Sequence, residues 1–97
     1  MAVRVELCGR LTNPPALRVT PAGTAVMQMV VECGERPGDL PLAVIATGEN
    51  ARSLAATLKA GQAVTVRGAL RTTGGRGRPS VLAELRFEVV ADEIVAG

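Results

Sequence analysis

From Val3 to Leu11 the apolar residues Val3, Val5 and Leu7 alternate with Arg4, Glu6 and Cys8, the two-residue period of a half-buried strand. Gly9 interrupts that run and predicts a bulge or bend. Asn13-Pro14-Pro15 breaks the pattern, Leu17-Arg18-Val19-Thr20 resumes it, and Pro21-Ala22-Gly23 supplies a turn with glycine where a positive φ is needed. The segment Thr24 to Cys33 sets Ala25, Met27, Met29 and Val31 on one face and Val26, Gln28, Val30 and Glu32 on the other, predicting a long strand with one fully apolar face. Gly34 to Pro41 is rich in breakers and charge, an exposed loop. Leu42 to Thr47 is a continuous apolar run between Pro41 and Gly48, consistent with a strand covered on both faces.

The period then changes. Between Glu49 and Lys59, Ala51, Leu54, Ala55 and Leu58 recur at helical spacing, with Glu49 near the positive end, Lys59 near the negative end and Gly61 available to stop the helix. Gln62 to Arg71 alternates again, with Val64, Val66 and Gly68 on one side. Thr72 to Pro79 is a glycine-rich basic loop. Ser80 to Val90 is the last predicted strand, with Val81, Ala83, Leu85, Phe87 and Val89 on one face and Glu84, Arg86 and Glu88 on the other. Three strands, a helix and two strands is the order of an all-β OB-fold, a five-stranded Greek-key barrel with one short helix between strands 3 and 4. Another small α+β domain has the same element order, because periodicity does not fix strand pairing.

Length and composition narrow this further. The chain of 97 residues holds one domain, expected to span 1–97. A domain this small buries only about 60–65% of the surface its unfolded chain exposes, so association with a second copy would add needed burial. With 47% hydrophobic residues the chain is no disordered tail, and no apolar run approaches the roughly 18–20 residues of a membrane span. The N-terminus lacks the basic start and apolar stretch of a signal peptide, so a soluble, cytoplasmic protein is expected. Cys8 and Cys33 are too far apart for a CxxC motif and read as small buried hydrophobes. The absence of histidine removes the commonest general base and metal ligand together. A net charge of +2 leans towards anionic partners, so the position of the arginines matters more than their number.

Leu7-Cys8-Gly9-Arg10-Leu11 followed by Leu17-Arg18-Val19-Thr20-Pro21-Ala22-Gly23 resembles the opening of the bacterial single-stranded DNA-binding (SSB) protein family. Ile45-Ala46-Thr47-Gly48-Glu49-Asn50-Ala51, with Leu58 to Gly68 after it, is similar to the primosomal replication protein N (PriB) branch of that family, as is a chain ending at Ala96-Gly97 without a long acidic-tipped tail. The resemblance implies an OB-fold homodimer that binds single-stranded DNA, lacks catalytic activity and needs no cofactor. It further implies partnership with a restart helicase and other primosome proteins at SSB-coated forks. Carried over by position, it assigns DNA contact to Arg71, Arg76 and Arg78 in the loop between the last two strands, and to Arg18 beside the earlier turn. Where that family presents aromatic side chains, this sequence has Leu40, Leu42, Met27 and Met29.

Single strands are ordinarily held by a basic groove and aromatic platforms, each base stack contributing about 1–3 kcal/mol. Phe87 is the sole aromatic residue here, and its position between Leu85 and Val89 reads as core. Met27 and Met29 read as core too. Arginine bonds phosphate in bidentate fashion and stacks on bases, and ten of the eleven basic residues are Arg, so binding is expected to be led by phosphate contacts, sequence-tolerant and salt-dependent. In Gly74-Gly75-Arg76-Gly77-Arg78 the glycines allow close backbone approach while the arginines supply charge; the alternative is a solvated hairpin tip. The loop lacks the GK[ST] ending of a phosphate-binding P-loop. Glu84, Arg86 and Glu88 read as a solvated or subunit-contact face, since carboxylates with no nucleophile, histidine or metal cluster do not make a hydrolase. Dimerisation is expected through the first strands, where it would remove exposed edges. The rival reading is an OB-fold interaction adaptor with weak or no DNA binding, for which the missing aromatics argue and the clustered arginines argue against.

Overall fold

A computed structural model describes residues 3–36, 39–73 and 86–96. Its elements are β1 (Val3–Leu11), β2 (Ala16–Val19), β3 (Ala25–Glu32), β4 (Pro41–Thr47), α1 (Glu49–Thr57), β5 (Ala63–Thr73) and β6 (Arg86–Ala96). The strands lie in the order β1-β5-β6-β4-β3-β2, and β1 returns to β3 at Arg10↔Glu32 and Leu11↔Val31, which closes the sheet into a barrel. Every pairing is antiparallel except β4 with β6. This is the OB-fold, with its first strand split in two. Both halves, β1 and β2, pair with β3, and Asn13-Pro14-Pro15 separates them because proline has no N–H for a ladder.

Two glycines make the closure possible. At Gly9, where β1 swings from β5 towards β3, an added Cβ would collide with the Glu32 carbonyl oxygen and the Val31 side chain. At Gly68, where the β5–β6 register slips, it would collide with the Val90 carbonyl oxygen. Backbone crosses backbone at both points, and only glycine leaves room.

The inner face of β3 is as its alternation predicts: Ala25, Met27, Met29 and Val31 are buried, together with Leu11, Val44, Ala46, Val64, Val66 and Val89. Burying a side chain of this size stabilises by roughly 1.5–3 kcal/mol, so this cluster is the main support of the fold. Helix α1 packs on β3 and adds Ala51 and, at its C-cap, Leu58 to the same core. It ends at Thr57, so Lys59 lies just past it. The Thr20–Gly23 turn forms with Gly23 at φ 88° and its N–H donating to the Thr20 carbonyl, 2.8 Å. Among the described residues no helix is long and apolar enough to cross a membrane.

Several expectations need correction. Strand β4 is covered on one face only: Val44 and Ala46 are buried, whereas Ala43 is exposed and Ile45 half-buried. Strand β6 runs six residues beyond Val90, because a bulge between Arg67 and Gly68 absorbs the break in alternation at Ala91-Asp92-Glu93. Residues 80–85 of the predicted last strand, with Val81, Ala83, Glu84 and Leu85, lie outside the described residues. Phe87 is 48% exposed and is not core. It has the inward parity of Val89, but it sits at an apolar mouth of the barrel, about 390 Å³, with Val5, Leu7, Leu40, Leu42 and Leu70. Cys8 is exposed on the outer side of β1, its sulfur 3.5 Å from the Thr65 hydroxyl. Cys33 is half-buried, and burial, with a smaller contribution from Cys8, pushes its thiol pKa up.

Candidate nucleic-acid interface

OB-folds bind oligonucleotides on the outer face of their second and third strands and on the flanking loops, which here means the outer face of β3 and β4. Strand register builds that face in transverse rows. One row runs Ala16, Gln28, Ile45, Val90, Ala69 and Arg4 across β2, β3, β4, β6, β5 and β1. The next runs Val30, Ala43, Glu88, Arg71, and a shorter one Arg18, Val26, Thr47. Neighbouring strands lie about 4.8 Å apart, so Arg18 on β2 and Arg71 on β5 stand at opposite margins of a surface roughly 19 Å wide.

A groove of about 370 Å³ lies along this surface, bordered by Pro14, Gln28, Val30, Ala43, Ile45 and Glu88. Small and branched apolar side chains at its floor leave room for a flat ring to lie against the sheet, and the amide of Gln28 offers both donors and an acceptor. Met27 and Met29, at positions where the resemblance implies aromatic platforms, are buried and point inward. Leu42 is half-buried, and Leu40 is exposed at a positive φ of 31° beside the barrel mouth. A second hollow of about 510 Å³ opens beside the Gly9 end of β1, but Glu32 and Glu35 offset Arg10 and Arg36 in its walls, so it presents no clear positive field.

The expected contact residues meet different fates. Arg18 is exposed and has no ion-pair partner among the described residues. Arg71 is held by Glu88: its Nε and Nη2 both donate to Oε1, at 2.6 and 2.5 Å. Arg76 and Arg78 lie outside the described residues, as does the rest of the 74–85 connection. Glu88 departs furthest from its expected place. Its side chain is only 15% exposed, against the solvated face expected, because β4 and β5 flank it in the sheet and Arg71 covers it. A register between β5 and β6 is needed to see this pair, since the two residues are 17 apart in sequence. Among the described residues no three Cys, Asp or Glu side chains gather as metal ligands do.

Comparison with known proteins places this geometry. The family model described as single-strand binding protein family matches residues 2–96. Among solved structures, an engineered deletion variant of the single-stranded DNA binding protein from Thermus aquaticus superposes with a TM-score of 0.78 at 29% identity. The alignment covers 100% of this chain and 41% of that one, so the chain spans less than half the length of the protein it matches. No curated protein sequence matches it.

Proposed function

The chain belongs to the single-strand binding protein family, and on that premise we propose that it binds single-stranded DNA, without catalysis, across the outer face of β3 and β4. The observation that carries the reading is the groove over Val30, Ala43 and Ile45, on the sheet face where OB-folds take oligonucleotides. Arg18 guides phosphates along one margin. Arg76 and Arg78 do so from the connection between β5 and β6, and Arg71 stands at its base. With no aromatic side chain among those bordering the groove, phosphate contacts carry the affinity, and binding weakens steeply with salt.

The finer reading is a primosomal role in replication restart, with a restart helicase and other primosome proteins as partners. The step Gly48-Glu49-Asn50-Ala51, which leads into α1, is the stretch most similar to the primosomal branch and supports the reading. A homodimer is part of the proposal. The edge of β1 away from β5 has no partner strand from Val3 to Gly9 among the described residues, and Val3 is 60% exposed beside it. Pairing that edge with a second copy would satisfy its backbone groups. A second reading, an OB-fold adaptor with weak or no DNA binding, draws on the buried Met27 and Met29 and on the neutralised Arg71.

Fluorescence anisotropy of labelled oligo-dT, about 15 and 35 nucleotides long and titrated at two salt concentrations, tests the leading reading. Micromolar or tighter binding at low salt is expected, and replacing Arg76 and Arg78 with Ala should reduce the salt slope by about 0.7 per lost phosphate contact. No binding at low salt leaves the adaptor reading.

A further inference from the structure

We infer that Glu88 attenuates nucleic-acid binding by occupying the guanidinium of Arg71, so that this pair adds almost nothing to phosphate affinity while Glu88 is present. The inference rests on the proposed binding of single-stranded DNA. Glu88 borders the groove and lies in register with Ala43 on one side and Arg71 on the other. Its carboxylate takes two of the Arg71 nitrogens, at 2.6 and 2.5 Å, which are the donors a phosphate would need. Carboxylate and phosphate compete for the same fork, because arginine bonds both in the same planar manner.

The setting favours the carboxylate. Glu88 sits on a strand paired on both sides and is 15% exposed, whereas Arg71 is 57% exposed. Glu88 therefore stays in the groove wall while Arg71 folds back onto it. The pairs Arg67–Glu6 and Arg4–Asp92 differ on both counts, since all four side chains are more than half exposed and none borders the groove. Glu88 is also the sole acidic side chain bordering that groove among the described residues. An incoming phosphate must displace it from Arg71 and then lie beside its uncompensated charge.

A charge cycle read by oligo-dT anisotropy at low salt tests this, with circular dichroism to confirm folding. E88Q should bind about five-fold tighter than the wild type and R71A about five-fold more weakly, while R71A/E88Q, again neutral at this site, should lie within roughly two-fold of the wild type. E6Q makes the same change in net charge away from the groove and should change binding less than about two-fold. If E88Q does not fold, rescue of R71A by the second substitution carries the same test. Wild-type binding with no gain in E88Q, an equal gain in E6Q, or a double variant far weaker than the wild type overturns the inference and leaves the DNA-binding reading standing. No binding by any variant or the wild type overturns both.

Discussion

The outer surface of this barrel divides into two faces with opposite electrostatic habits. Over β1, β5 and β6, three arginines are met by carboxylates across the strands, Arg4 by Asp92, Arg67 by Glu6 at 2.7 Å, and Arg71 by Glu88, while Arg10 near the end of β1 donates to the Gly61 carbonyl instead. Over β2, β3 and β4 the described charged residues are only Arg18 and Glu32, and the surface is built from Gln28, Val30, Ala43, Ile45 and Thr47. The lesson is that a count of arginines overstates the positive field of a β protein. Cross-strand pairing spends basic side chains on neighbouring acids, and the face left for a polyanion can be the one with fewer charges.

The seam between the faces is where a single change acts most strongly. Gly9→Val should destabilise the chain by about 3 kcal/mol or more, since the side chain would drive into the Glu32 carbonyl where β1 joins β3. Urea denaturation measures it, and a variant as stable as the wild type would mean that the two faces do not depend on that crossing.

Next comes a matched pair of arginines, one from each face. Arg18→Ala should weaken oligo-dT binding several-fold, whereas Arg67→Ala, which removes an arginine already bonded to Glu6, should leave binding within about two-fold and stability within about 1 kcal/mol. Equal losses in the two would erase the distinction between the faces.

The smallest effect separates the two thiols. Cys8, exposed on the paired face, should react with iodoacetamide well before Cys33, whose thiol burial holds in its protonated form to higher pH. Mass spectrometry after timed quenching follows both sites, and unfolding in urea should bring their rates together. Faster labelling of Cys33 in the folded chain would contradict its placement.

Much of the fold is legible along the chain, and the departures have physical causes. The inner row of β3, the turn at Gly23, the helix from Glu49 and the burial of Val64 and Val66 all follow from period and turn chemistry. Phe87 and Cys8 depart from expectation because parity tells which way a side chain points, not whether anything covers it: Phe87 points inward at an open barrel mouth, and Cys8 points out. The apolar run of β4 suggests two covered faces, yet its outer side is a groove, and apolar residues are kept there. The bulge hides the end of β6. Of the candidate site, Arg18 is legible as an exposed arginine, but the capture of Arg71 by Glu88 depends on register between distant strands and leaves no local signal.

Backbone amide shifts recorded during titration with unlabelled oligo-dT locate the bound strand residue by residue. If DNA lies across the outer face of β3 and β4, the largest changes fall at Gln28, Val30, Ala43 and Ile45, with Arg18 beside them. Changes centred instead on Thr65, Arg67 and Glu93, with the β3–β4 amides unmoved, would contradict it.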